Sequence, residues 1–176
     1  KAPEKGKSAF GKNTAYLPGL HRAEKLQKKA ALQGFDWTNI RDVREKLNEE
    51  LAELDELIEQ LESTSAAGET SSIDTGHQIA DLEANQALNP KIASATADKK
   101  EDLKKKISGE LGDVLFCVVN LARHLKVPAE LSIHETCEKF ITRFRTMEEM
   151  STVELEKLSL DELEELYQEA KARTVS

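Results

Sequence analysis

The chain has 176 residues, of which 39% are hydrophobic, and its 33 acidic and 25 basic residues give a net charge of −8. No basic stripe is interleaved with aromatic residues, which disfavours nucleic-acid binding, and no apolar run reaches the ~18 residues of a membrane span. We therefore expect one cytoplasmic domain with no nucleic-acid or membrane partner. The chain begins at Lys1 rather than Met, so we expect it to be part of a longer protein.

The N-terminal part is predicted to hold a flexible arm and one cationic helix. Residues 1–17 are rich in Lys and Gly and lack periodicity, which is typical of a mobile segment. Pro18 and Gly19 then open a helix with one apolar side, and Gly34 ends it. Trp37 lies in the connection that follows, and packing in a core is its commoner role.

A second amphipathic helix is predicted over residues 39–62. Glu49, Glu50 and Glu53 form an E-E-x-x-E pattern, with Lys46 on the same ridge. Glu is a good helix former, so this pattern alone is more often a solvated face than a site. The apolar residues of the helix recur at helical spacing and form a seam made of Val43, Leu47, Leu51, Leu54, Ile58 and Leu61.

The segment 63–98 is rich in Ser, Thr, Ala and Gly and contains Pro90. This composition predicts a flexible connection, with at most a short helix over residues 79–86.

A third helix is predicted over residues 101–125, and it carries a second acidic pair. Glu110 and Asp113 lie one turn apart on the flank of its apolar seam, after Lys106. Like charges repel, so two acid pairs beside facing seams are expected to lie close together chiefly where divalent cations are bound between them. Oxygen ligands with no His or Cys nearby indicate Mg²⁺ or Mn²⁺ rather than Zn²⁺. The predicted seam is Leu103, Ile107, Leu111, Val114 or Leu115, Val118, Ala122 and Leu125.

Two more helices are predicted at the C-terminal end. Ser132-x-x-Glu135 reads as a capping box that opens a helix to residue 150, and Ser159-x-x-Glu162 opens the last helix. Lys139 and Arg143 lie four apart, either as a solvated cationic face or as an anion site suited to phosphate. The residues expected to face inward are Ile133, Cys137, Phe140 or Ile141, Phe144 and Met147. Cys117 and Cys137 lack metal-site spacing and are expected to be free thiols.

Four stretches together resemble the MazG-type nucleoside triphosphate pyrophosphohydrolases. They read GLHRAEKLQKKAALQGFDW, KLNEELAEL, ELGDVLFCVVNLARHL and EKFITRF, in that order, and they cover most of residues 19–147. The similarity is to the second, catalytic repeat of two-repeat members. It implies an all-α helical bundle over residues 18–173, completed by dimerisation or higher assembly. The departure from the family is the long segment 63–98, where relatives usually have a short connection.

The resemblance also implies a set of site residues. Glu50, Glu53, Glu110 and Asp113 stand where the family binds Mg²⁺, and Glu49 completes the acidic set. The positions where the family contacts nucleotide phosphates are Lys46, Lys106, Lys139 and Arg143. Tyr167 and Lys171 align with a base-stacking aromatic residue and a nearby Lys.

The function expected from this resemblance is Mg²⁺-dependent hydrolysis of nucleoside triphosphates to monophosphate and pyrophosphate. Glu49 or Glu53 would orient the attacking water, and the sequence does not choose between them. One alternative is a related all-α pyrophosphohydrolase with a narrower substrate, such as dUTP or phosphoribosyl-ATP, which a nucleotide panel would distinguish. Another is a non-catalytic helical interaction module, which would gain no thermal stability from Mg²⁺.

Overall fold

The computed structural model describes residue 10 and residues 15–69 and 82–174, and every regular element in these ranges is helical. The all-α class predicted from the sequence is confirmed. The sequence predicts a single domain over residues 18–173, whereas the chain divides into two compact units, Lys1–Leu125 and Lys126–Ser176. Apart from residues 10 and 15–17, the predicted N-terminal arm lies outside the described residues.

The first unit is built from three helices, with α3 in contact with both others. Helix α1 spans Gly19–Ala31, α2 spans Ile40–Glu69 and α3 spans Leu82–His124. Helices α1 and α2 both pack on α3. Gly34, with a φ of 84°, follows α1 in the left-handed region that glycine adopts without steric cost. The predicted end of α1 near Gly34 is therefore confirmed.

Helices α2 and α3 both extend into the segment predicted to be a flexible connection. Helix α2 continues to Glu69 and α3 begins at Leu82, so the prediction of an unstructured segment over 63–98 is wrong at both ends. Ala has the highest helix propensity of all residues, and a helix already nucleated by packing extends at little further cost. Residues 70–81 lie outside the described residues.

The core of the first unit uses only part of the predicted seams. Val43 of α2 and Leu103, Val114 and Val119 of α3 are buried. A second stripe on α3 is exposed instead, and so are Leu51 and Ile58 on α2. Helical periodicity identifies apolar stripes, but it does not say which stripe faces the same chain. The exposed stripe of α3, predicted to be part of the seam, consists of Leu111, Leu115 and Val118.

The second unit pairs helix α4, Ala129–Met150, with helix α5, Leu160–Arg173, through a short 3₁₀ turn at Leu155–Lys157. Met147 and Ala170 are buried in it. The other α4 residues predicted to face inward, Ile133, Cys137, Phe140, Ile141 and Phe144, are all exposed.

The two predicted capping boxes have opposite outcomes. Ser159 and Glu162 form both hydrogen bonds of the box at the start of α5, so this prediction is confirmed. The box at Ser132 is wrong, because α4 begins earlier, with Pro128 at its N-cap. The Ser132 hydroxyl donates to the Pro128 carbonyl at 3.1 Å. Within the described ranges, no helix combines the length and apolar character that a bilayer span requires.

Candidate metal centre

Three acidic side chains from two helices converge in the first unit. Carboxylate oxygens of Glu50 and Glu53 on α2 and of Glu110 on α3 all lie within 4.8 Å of one another. The two α2 residues are three apart and therefore share one face of the helix, which packs against α3. Asp113, the fourth predicted ligand, is not part of this group of three, although its charge acts on Glu110.

The geometry of this acidic cluster, Glu50, Glu53 and Glu110, fits a hard divalent cation. Two oxygens bound to one Mg²⁺ lie at most about 4.2 Å apart, because each is about 2.1 Å from the ion. The limit of 4.8 Å between the three glutamate oxygens is slightly wider, so small side-chain rotations would bring them to bonding distance. Carboxylate oxygens suit Mg²⁺ and Mn²⁺ better than Zn²⁺. The donor set therefore agrees with the metal predicted from the sequence.

The carboxylates of this cluster repel one another electrostatically. Partial burial raises the pKa of Glu110, and the negative charges of Glu53 and Glu50 raise it further. Asp113 adds a smaller effect in the same direction. Carboxylates that hinder each other's ionisation gain most from a cation placed among them.

Lys46 contacts this cluster through Glu50 and also pairs with the neighbouring Glu49. Its Nζ lies 2.9 Å from Glu49 Oε1 and 2.8 Å from Glu50 Oε1. The hydrogen bond to Glu50, followed by that to Glu49, raises the pKa of Lys46 and keeps it protonated. Glu49, predicted as a catalytic residue, is thus paired with Lys46, whereas Glu53, the other candidate, lies in the cluster itself.

The remaining predicted site residues are Lys106, Lys139, Arg143, Tyr167 and Lys171. Lys106 on α3 pairs with Asp102 at 3.1 Å, and both side chains are exposed. In the second unit, Arg143 Nη1 donates to the Tyr167 hydroxyl at 3.3 Å, and its guanidinium carbon lies 6.0 Å from the ring centroid. Lys139 and Lys171 are exposed and form no ion pair with any described residue. The roles of all these residues stay predictions.

A polar contact between the α1–α2 connection and the end of α3 was not predicted. Both terminal nitrogens of Arg123 donate to the carboxylate of Asp36, and His124 Nε2 lies 3.4 Å from it. The hydrogen bond from Arg123 is the main reason that the pKa of Asp36 is lowered. Trp37, expected to pack in a core, is 44% exposed. The sequence feature that points to this contact is the motif Gly-Phe-Asp-Trp at residues 34–37, because it places Asp36 directly before the single Trp.

Comparisons with known proteins agree with the motifs. A model of the MazG nucleotide pyrophosphohydrolase domain matches residues 39–147. The chain is 32% identical over 162 residues to the nucleoside triphosphate pyrophosphohydrolase of Escherichia coli (strain K12), covering 90% of this chain and 47% of that protein. It is 30% identical over 177 residues to the nucleoside triphosphate pyrophosphohydrolase/pyrophosphatase MazG of Thermotoga maritima, covering 97% and 52%.

A shorter match, 40% identical over 68 residues, is to the uncharacterized protein YabN of Bacillus subtilis, covering 37% of this chain and 14% of that protein. The chain spans about half the length of the E. coli and T. maritima relatives. The family resemblance stated from the sequence is confirmed.

Proposed function

We infer the function of this chain from its family: the chain belongs to the MazG nucleotide pyrophosphohydrolase domain family, whose model matches residues 39–147. The proposed reaction is hydrolysis of a nucleoside triphosphate between its α and β phosphates, giving a nucleoside monophosphate and pyrophosphate. The names of the E. coli and T. maritima relatives support it. The structural observation that carries the proposal is the acidic cluster, in which oxygens of three glutamates lie within 4.8 Å of one another.

The proposed cofactor is Mg²⁺, with Mn²⁺ as a substitute, held by Glu50, Glu53, Glu110 and Asp113. Such an ion, when bound, polarises phosphoryl oxygens and lowers the pKa of a coordinated water. A triphosphate is strongly anionic, so an uncompensated cluster of carboxylates would repel it. The residues of the cluster therefore make substrate binding depend on a cation.

Glu53 is the residue that we propose to orient the attacking water and accept its proton. The water oxygen then bonds to phosphorus while the α–β anhydride bond breaks, and the bridging oxygen leaves with pyrophosphate. The sequence left Glu49 and Glu53 as equal candidates. Glu53 is favoured because it lies in the acidic cluster, whereas a carboxylate oxygen of Glu49 is held 2.9 Å from Lys46.

Binding of the triphosphate is assigned to cationic side chains. We propose, on the strength of the family resemblance, that Lys46, Lys106, Lys139 and Arg143 hold its phosphates and offset the charge on the departing pyrophosphate. Arg143 offers a planar fork suited to phosphate, and the Lys residues offer point charges. Tyr167 and Lys171 are proposed nucleotide contacts, on the strength of the family resemblance.

A homodimer, or a higher homo-oligomer, in the cytoplasm is part of the same proposal. Leu111, Leu115 and Val118 form a stripe on α3 that is exposed in the single chain, with Leu115 48% exposed. Contiguous exposed apolar surface of this kind marks interaction sites. Sedimentation velocity of Leu115→Lys should show a shift towards monomer. Leu32→Lys, at a position that is already 83% exposed, should leave the assembly unchanged.

The test of the proposed activity is pyrophosphate release from a panel of canonical and damaged nucleotides with Mg²⁺. Glu110→Gln and Glu53→Gln should abolish most of the release while the proteins remain folded, as judged by thermal melting. Glu56→Gln, an exposed glutamate three residues after Glu53 on α2, is the matched control and should retain activity. Full turnover by folded Glu110→Gln would remove the cluster from the mechanism.

A further inference from the structure

A second feature of the first unit is a cavity of about 500 Å³ between α1, the α1–α2 connection and α3. Its lining is mainly apolar and includes the aromatic residues Phe35, Trp37 and Phe116. Asp36 and Arg123 are the charged residues of the lining, and they neutralise each other through two hydrogen bonds. The volume falls within the range of small-molecule sites, and the balanced charge favours a neutral occupant.

Two polar atoms of this lining lack a hydrogen-bond partner. In the described part of the chain, they are the buried side-chain atoms Gln27 Oε1 and Arg123 Nε. Gln27 is only 6% exposed, and its Nε2 already donates to the Phe116 carbonyl at 2.8 Å. Gln27 therefore still offers an acceptor, and Arg123 still offers a donor. Leaving buried groups unpaired is costly, so the cavity favours a molecule that carries one donor and one acceptor.

One wall of this cavity comes from outside the packed helices. Phe10 lines the cavity, although it precedes α1 in the arm that the sequence predicts to be flexible. Phe10 is 42% exposed, so more than half of its surface is covered. Tyr16, the other aromatic residue of this arm, is 92% exposed. The arm is therefore in contact with the cavity at Phe10, whereas Tyr16 extends into solvent.

Lys29 of α1 contributes to the hold on Phe10. Its Nζ donates to the Phe10 carbonyl at 2.8 Å. Because this bond is exposed to water, its contribution is modest. A residue attached in this way leaves and returns more readily than residues within packed helices, because local opening is easiest where few buried contacts must break. The walls formed by α1 and α3 stay in place when Phe10 moves.

We propose that Phe10 is a strap that closes this cavity over a small neutral aromatic molecule and opens to release it. In the closed state, the ring of Phe10 covers one side of the bound molecule, and Lys29 holds the strap in place. The strap requires neither the acidic cluster nor a nucleotide. It is therefore independent of the function proposed above, and its test uses no nucleotide.

Binding to the cavity can be followed with Trp37, because it is the only Trp of the chain and it lines the cavity. The probe is 4-nitrobenzyl alcohol, a neutral aromatic ring with a hydroxyl donor and a nitro acceptor, whose nitro group quenches Trp fluorescence on contact. Titration of the wild type should quench Trp37 with saturation and give a Kd. Quenching that does not saturate would mean that the cavity holds no such molecule, and would overturn the proposal.

The strap itself is tested with Phe10→Ala. This variant should raise the Kd of the probe about fivefold, mainly through faster release, because one aromatic contact is lost. The matched control is Tyr16→Ala, which removes the exposed aromatic residue of the same arm and should leave the Kd unchanged. Both positions lie outside the helices, so circular dichroism should show unchanged folding. Equal Kd values for Phe10→Ala and the wild type, or an equal loss in Tyr16→Ala, would contradict the strap.

The role of Lys29 is tested separately. Lys29→Gln should raise the Kd about threefold, the effect of one weak hydrogen bond, and Lys25→Gln, at an exposed position of the same helix, should not change it. The double variant Phe10→Ala/Lys29→Gln should bind the probe as Phe10→Ala does, because Lys29 acts through Phe10. A further loss in the double variant would mean that Lys29 contacts the probe directly, and would overturn its role as the holder of the strap.

Discussion

Binding of Mg²⁺ at the acidic cluster should stabilise the folded chain, and removal of one carboxylate should abolish that effect. Glu50, Glu53 and Glu110 raise each other's free energy in the metal-free chain, because their oxygens lie within 4.8 Å of one another. An ion that binds only the folded state at 100 times its Kd stabilises it by about 2.7 kcal/mol. For a chain of this size each kcal/mol raises Tm by about 2–4 °C, so the expected rise is about 5–11 °C.

The assay is thermal melting in EDTA and in saturating Mg²⁺ for the wild type, Glu53→Gln and the control Glu56→Gln. In EDTA, Glu53→Gln should melt at or above the wild-type temperature, because one of the repelling charges is gone. With Mg²⁺, the wild type and Glu56→Gln should gain the full rise and Glu53→Gln little of it. Equal gains in all three proteins would place the ion elsewhere and refute the reasoning.

Three further predictions follow from other contacts. Asp36→Asn should lower Tm by about 2–8 °C, since the charge-assisted hydrogen bonds from the largely buried Arg123 contribute about 1–2 kcal/mol at this partly exposed site. The pKa of Asp36 is lowered from 3.8, so the stability that its carboxylate contributes is complete above pH 3.8 and is lost at lower pH. When Tm is measured at decreasing pH, it should therefore fall less steeply for Asp36→Asn than for the wild type. Gly109→Ala should raise Tm by about 1–4 °C, because a methyl group there meets no atom within 4 Å and the helix propensity improves by about 0.5–1 kcal/mol. A lower Tm would mean that the space around Gly109 is not open. Cys137, which is exposed, should react with a maleimide faster than Cys117, which is half-buried and has a pKa raised by that burial; equal rates would count against the structure at α3.

The helical period accounts for what the sequence predicts well. The spacing of Glu50, Glu53 and Glu110 relative to their apolar neighbours depends only on a rise and a turn that all α-helices share. The sequence could therefore place four acids on facing sides of two helices, and the structure brings three of them together, without Asp113. Their binding of metal stays a prediction, as does the contribution of Asp113.

The mistakes in the prediction arise from information that a single helix does not contain. Which apolar stripe of α3 is buried depends on its partners, so helical spacing places Leu111 and Val118 in the predicted seam although they are exposed. Composition alone does not predict the extension of α2 to Glu69, because it does not contain the packing that supports the helix. The cavity at Gln27 is formed by segments far apart in sequence, which no local pattern reveals.

The position of Lys46 would link metal binding to nucleotide binding. Its ammonium group lies 2.8 Å from Glu50 Oε1, and Glu50 is also one of the three carboxylates of the acidic cluster, so a divalent ion bound there would share this carboxylate with the lysine. A second positive charge on that carboxylate would weaken its hold on the ammonium group, because like charges repel. If Lys46 holds the phosphates as proposed, metal binding and nucleotide binding would be coupled through this one side chain.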